Sequence, residues 1–243
     1  MSFAVVMITV DRVPRRNFLA ETLANLKRSG VFDSPLLESF SIVNSNFDTK
    51  DFIYEAIGDL PISVYSPIGG MRKATENGAM ALAIGSESQA DWVLFLEDDI
   101  DVIDKFLEST DLWLARHGRR SVVFPLGANY ADIAALYRLG ADDAWTYELG
   151  MFYGTLAFAL TPGHAKAVSD YWYANRRDQT YDLLMSRWAR EQKVEHFVTP
   201  VPSFVQHIGR ESAIRPGSPF IQYESWPGRR WRYEPKSVFM ERD

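Results

Sequence analysis

A chain of 243 residues, 47% hydrophobic and 14% aromatic, has the volume for one large α/β domain or two small ones and is not a disordered protein. Its formal net charge of -6 argues against a chain that holds nucleic acid by overall charge, while leaving a local basic patch open. The absence of cysteine excludes disulfides and thiolate metal sites and fits a reducing cytoplasm.

The first residues lack the basic start and small-residue cleavage site of a signal peptide, and Phe3 to Val10 reads as a first strand. No apolar run approaches the roughly 20 residues of a membrane span, so the expectation is a soluble, cytoplasmic protein. A helix follows the first strand, with Phe18, Leu19, Thr22, Leu23 and Leu26 on one face and Gly30 as its stop. Short strands are predicted at Phe40–Val43 and Ile62–Tyr65, and a helix is marked by Met71, Ala74, Gly78, Ala79 and Leu82. A strand at 92–96, a helix at 103–114 and a strand at 121–125 come next. The second half is less regular: a long apolar strand from Met151 to Thr161, a helix stripe of Tyr181, Leu184, Met185 and Trp188, and a strand at 194–198 before Pro200 and Pro202. Alternating strands and helices predict an α/β fold with a central, mostly parallel sheet flanked by helices. One domain spanning 1–243 is expected, with a first half (1–101) that carries the regular alternation, a second half (102–205) and a C-terminal tail (206–243).

The informative stretch is Trp92-Val93-Leu94-Phe95-Leu96-Glu97-Asp98-Asp99-Ile100-Asp101. Five apolar residues in a row read as a strand buried on both faces of a parallel sheet. They run into three carboxylates that would repel one another unless a positive charge sits among them. A divalent cation takes oxygen ligands and bridges to phosphate, and open α/β sheets bind ligands beyond the carboxyl ends of their strands. The alternative is that acids follow strands as turn residues or helix caps, with Asp101 or Asp104 capping the next helix. A cap needs one carboxylate, not three. Arg72 and Lys73, after Gly69-Gly70 at a helix start, would add positive charge near phosphates or simply be solvated. Asn77, one turn on, would reach a bound ligand or lie on the helix surface.

Three features in this order resemble a glycosyltransferase of the GT-A fold: the first strand followed by Thr9-Val10-Asp11-Arg12, the strand ending in Glu97-Asp98-Asp99, and Pro202-Ser203-Phe204-Val205-Gln206-His207-Ile208-Gly209. The last of these is similar to a late segment of N-acetylglucosaminyltransferase IV-type enzymes. The resemblance implies a GT-A-like (Rossmann-like) domain, a nucleotide-diphosphate sugar donor such as a UDP-sugar, and Mn2+ or Mg2+. By position it implies that Asp99 and His207 bind the metal and that Glu97 or Asp98 faces the ribose or sugar. Thr9, Asp11 and Arg12 would lie beside the base and ribose, Asn77 would reach the donor sugar, and residues 1–101 would form a nucleotide-sugar-binding half, 102–205 an acceptor-binding half and 206–243 a tail or lid. An inverting enzyme also needs a base, and the family often presents a carboxylate from a helix start, which here is Asp182. Asp178 and Glu148 are alternatives, and Asp182 has an ordinary role open to it as an acid favoured by the helix dipole. Gln206 is the expected partner that orients His207.

Residues 208–232 carry Arg210, Arg215, Arg229, Arg230 and Arg232 interleaved with Phe220, Tyr223, Trp226 and Trp231. Such a tail can wrap the domain, close over a diphosphate, stack on an acceptor sugar or hold nucleic acid. The expected function is a metal-dependent glycosyltransferase acting on a saccharide, or on a hydroxymethylated base in phage DNA. The alternatives are a nucleotidyltransferase that forms sugar nucleotides, which would open with a Gly-rich loop that Asp11–Arg16 lacks, and a non-catalytic sugar- or nucleotide-binding module.

Overall fold

The computed structural model describes residues 1–11, 17–45, 51–66, 73–127, 143–149, 156–177, 180–201 and 203–208. In chain order the first half contains β1 (Phe3–Thr9), α1 (Leu19–Arg28), β2 (Leu37–Asn44), α2 (Asp51–Ile57), β3 (Ser63–Tyr65), α3 (Ala74–Ser86), β4 (Trp92–Glu97) and β5 (Ile100–Val102). The second half adds α4 (Phe106–His117), β6 (Phe124–Pro125), β7 (Asp143–Glu148), β8 (Ala157–Leu160), α5 (Pro162–Ala174), α6 (Tyr181–Glu191), β9 (His196–Val201) and β10 (Val205–His207).

The main sheet has the order β3-β2-β1-β4-β8-β6. Its first four strands are parallel, and β8 and β6 continue it antiparallel. The apolar runs of β1 and β4 follow from burial on both faces. Phe3, Val5, Met7, Trp92, Leu94 and Leu96 pack with Leu19, Leu23 and Leu26 of α1, Ile53 and Ile57 of α2, and Phe106, Leu107 and Leu114 of α4. The alternate residues Val6, Ile8, Val93 and Phe95 join Leu82 of α3, Val168 and Trp172 of α5, and Leu184, Met185 and Trp188 of α6. Phe95 stacks on Phe158 with ring centroids 4.7 Å apart. The small residues of α3 let it lie close to the sheet: a Cβ at Gly85 would stand 2.5 Å from Val93 Cγ1, and one at Gly78 would stand 3.0 Å from the Trp172 ring.

The central, mostly parallel sheet with helices on both faces is as the alternating pattern predicts, and Gly30 ends α1 in the left-handed region at φ 81. Several elements differ. Helices α2 and α5 and strand β7 were not anticipated. Within the strand read from Met151 to Thr161 lies β8 at Ala157–Leu160, and α5 follows it, where Thr161 caps the helix by accepting the His164 N–H and Pro162 occupies the first turn. Residues 151–155 of that reading lie outside the described residues. β9 does not stop before Pro200 but runs through it, paired with Ala144 of β7 in a two-stranded ribbon. Neither Asp101 nor Asp104 caps α4: the cap position is Lys105, at φ 53, and Asp101 sits in β5. No described helix is long and apolar enough to cross a membrane.

Candidate functional site

The carboxyl ends of β1, β2, β3 and β4 form one edge, and the order reverses between β1 and β4, where ligands lodge in open α/β sheets. Glu97 closes β4. The chain then turns through Asp98 and Asp99 and leaves the main sheet as β5, which pairs antiparallel with β10. That pairing sets His207 opposite Ile100, and the Ile208 N–H donates to the Asp99 carbonyl at 2.9 Å. His207 Nε2 consequently lies 3.0 Å from Asp99 Oδ2, and the two side chains are only 2% and 7% exposed.

Each carboxylate of the turn has a different surrounding. Glu97 accepts a hydrogen bond from the Tyr181 hydroxyl at the start of α6. Burial, and then the Asp99 charge, push Glu97 up to about 7, against that hydrogen bond and the nearby His207. Asp98 is buried, and its Oδ2 accepts the Thr9 hydroxyl at 2.5 Å. Thr22 of α1 reaches the turn from below, with its hydroxyl oxygen 2.8 Å from the Asp98 carbonyl and 3.0 Å from that of Ile100. The end of β1 is tied to β2 by the Ser45 N–H and hydroxyl, both donating to the Thr9 carbonyl at 3.0 Å.

The other predicted residues are distributed unevenly around this edge. Asp11 follows β1 and accepts from Asn17 Nδ2 at 3.0 Å. Arg12, Arg72, Gly69-Gly70, Asp178 and the tail from Gly209 onward lie outside the described residues. Asn77 does not present its amide outward as expected: it is fully buried, and its Nδ2 donates to the Val43 carbonyl at 2.8 Å and to Ser45 Oγ at 3.0 Å. The reason is register, since α3 lays this position against the end of β2, where a buried amide must satisfy main-chain groups. Asp182 is partly buried in the first turn of α6, where its Oδ1 accepts the Thr180 hydroxyl and the Leu183 N–H. Gln206 pairs with Asp101 in β10 and so points to the opposite face from His207, because successive strand residues alternate. It does not orient the imidazole as expected.

Sequence reasoning missed Tyr181, Thr22 and Ser45. The signal available for Thr22 was a hydroxyl inside the apolar stripe Leu19, Leu23 and Leu26. Tyr181 offered only its position at a helix start.

The Asp99–His207 pair fits a divalent cation by chemistry and by spacing. Mixed carboxylate and imidazole donors suit manganese, while magnesium leans more on oxygens and water. The 3.0 Å separation of the pair is that of a direct hydrogen bond, and two ligands at right angles about 2.1 Å from an octahedral ion stand equally far apart. Among the described residues no cluster of three or more His, Asp or Glu side chains forms a cage.

No known family model matches this chain, and no curated protein sequence does. Solved structures do. S. aureus TarS 1-349 superposes with a TM-score of 0.57 at 14% identity over 83% of this chain and 58% of that one. The same fragment in complex with UDP-GlcNAc gives 0.57 at 14% identity, over 87% and 60%. The 4-diphosphocytidyl-2C-methyl-D-erythritol synthase of Anaerococcus prevotii gives 0.51 at 11% identity, over 86% and 93%. The chain thus spans about three-fifths of the TarS fragment. Its fold is GT-A-like.

Proposed function

We propose that this protein is a metal-dependent glycosyltransferase that moves a sugar from a nucleotide-diphosphate sugar, a UDP-sugar, to a hydroxyl of a saccharide or of a hydroxymethylated base in DNA. The observation that carries the reading is the buried Asp99–His207 pair at the carboxyl edge of β4. The donor class is supported by TarS, whose fold this chain shares and which has been solved with UDP and with UDP-GlcNAc.

Asp99 and His207 would hold Mn2+ or Mg2+, which when bound stabilises charge on a diphosphate as a Lewis acid. Thr9 ends β1 and Asp11 and Arg12 come after it in the chain, and the three would meet the base and ribose. Arg72, two residues before α3 in the sequence, would face the phosphates. Glu97, set by Tyr181, would face the ribose or the sugar, while Asp98 fixes the turn by accepting the Thr9 hydroxyl. Asp182 would take the proton of the acceptor hydroxyl if the enzyme inverts.

A second reading, nucleotidyl transfer from a nucleoside triphosphate, is favoured by the likeness to the diphosphocytidyl-methylerythritol synthase. The stretch Asp11-Arg12-Val13-Pro14-Arg15-Arg16 lacks the glycines such an enzyme needs around a triphosphate. Thermal unfolding in a panel of nucleotide-diphosphate sugars, with manganese and with chelator, separates the two. A donor-specific, metal-dependent rise supports glycosyl transfer. A response to nucleoside triphosphate alone supports the second reading, and no response to any nucleotide overturns both.

A further inference from the structure

The strand pairing that brings His207 to Asp99 also exposes a demand that one α1 side chain meets. The Ile208 N–H bonds the Asp99 carbonyl and the Ile103 N–H bonds the Phe204 carbonyl at 3.0 Å. These two bonds flank the pairs Ile100–His207 and Val102–Val205, so both are non-hydrogen-bonded pairs of the antiparallel ladder. The N–H and carbonyl of Ile100 therefore face away from β10, into the interior under α1. Thr22 Oγ1 accepts that N–H at 3.1 Å and stands 3.0 Å from that carbonyl. The same oxygen is 2.8 Å from the Asp98 carbonyl. One hydroxyl thus grips the main chain on both sides of Asp99, while the Asp99 carbonyl is held by Ile208.

Thr22 is fully buried in a stripe whose neighbours Leu19, Leu23 and Leu26 belong to the apolar core. Valine would fill that place with nearly the same shape, so what threonine adds is the hydroxyl. A carboxylate and an imidazole from segments 108 positions apart can share one ligand only if the turn carrying the carboxylate does not swing.

We infer that Thr22 is a positioning residue that presets the Asp99 carboxylate toward the ligand it shares with His207. The inference rests on the reading of Asp99 and His207 as a cation-holding pair. Substituting residues that orient metal ligands costs roughly 10- to 100-fold in metal affinity, and the loss expected for Thr22→Val falls in that range.

The test is manganese binding in the presence of UDP, followed by electron paramagnetic resonance, for the wild-type chain, Thr22→Val, Thr22→Ser and Asp99→Ala. Thr22→Val is expected to lose at least about tenfold in manganese affinity, Thr22→Ser to stay within about threefold, and Asp99→Ala to lose binding. If Thr22→Val does not fold, Thr22→Ser and Thr22→Ala form the comparison, since both lack the methyl group and differ only in the hydroxyl. A merely structural role would lower the melting temperature of Thr22→Val while leaving its manganese affinity equal to wild type, and that result overturns this inference alone. A wild-type chain whose manganese uptake is absent, or indifferent to Asp99→Ala, overturns the reading of the site and this inference with it.

Discussion

His207 Nε2 and Asp99 Oδ2 stand 3.0 Å apart across 108 positions of sequence, inside a region almost closed to solvent. The contact is made by a three-residue ribbon, β5 with β10, that branches off the main sheet where β4 ends. It joins the last described strand to the acidic turn.

Removing either partner is expected to abolish the metal-dependent part of nucleotide stabilisation. In thermal unfolding with manganese and UDP, Asp99→Ala and His207→Ala should each unfold at the same temperature with and without the metal. A variant that keeps the full rise shows that its residue is not a ligand. Without metal, each single change should also cost stability, because it removes a buried hydrogen bond. A double-mutant cycle should give a coupling of roughly 0.5–3 kcal/mol.

The Tyr181 hydroxyl joins α6 to Glu97, while its ring packs 5.4 Å from that of Trp172 and 6.2 Å from that of Phe95. Tyr181→Phe keeps the ring and removes the hydrogen bond. The expected loss is about 1–2 kcal/mol in urea unfolding, the ordinary worth of a buried hydrogen bond to an ionisable group. No loss would mean that the hydroxyl is not bonded to Glu97 in solution.

Gly85 tests the close approach of α3 to the sheet. An added methyl would meet Val93 Cγ1 at 2.5 Å and Val6 Cγ1 at 3.1 Å, on strands whose positions are fixed by neighbours on both sides. Helix propensity alone would favour alanine by up to about 1 kcal/mol. Overpacking should outweigh it, and Gly85→Ala is expected to destabilise by about 1–3 kcal/mol net. A more stable variant in denaturant titration would refute this packing.

His164 gives a pH prediction. Burial lowers it from the ordinary 6.5, so the folded state prefers the neutral ring. Its contribution to stability is complete above pH 6.5 and is lost as pH falls through the lower folded value. Its Nδ1 is 2.8 Å from the Thr161 hydroxyl at the α5 cap. Wild-type and His164→Gln stability should therefore converge as the pH is taken from 7 to 5, with the wild type losing more over that interval. An equal loss in the two proteins would show that His164 is not shifted.

How much of this was written in the sequence differs from element to element. The β4 run Trp92 to Leu96 was legible because burial on both faces leaves a strand no polar positions, and its acids were legible because three adjacent charges need a reason. The α1 stripe and the Gly30 stop were equally plain. Helix α5 was hidden because Ala165, Ser169 and the glycine and histidine of its first turn blur its apolar face, and Pro200 was misread as a terminator although β9 belongs to a two-stranded ribbon. At the site, the residue types Asp99 and His207 were nameable from sequence order. Asn77 and Gln206 were misplaced because a polar residue in a sequence carries no sign of which way it faces.

Sequence alone determined the layers of this protein, since apolar periodicity is a local property that each segment displays by itself. It also determined that one strand end would concentrate negative charge. Only the tertiary structure decided which distant groups meet that charge. The choice of His207, Tyr181, Thr9 and Thr22 depends on strand order, ladder register and helix rotation, and these are set by packing across the whole chain rather than by any one stretch of it.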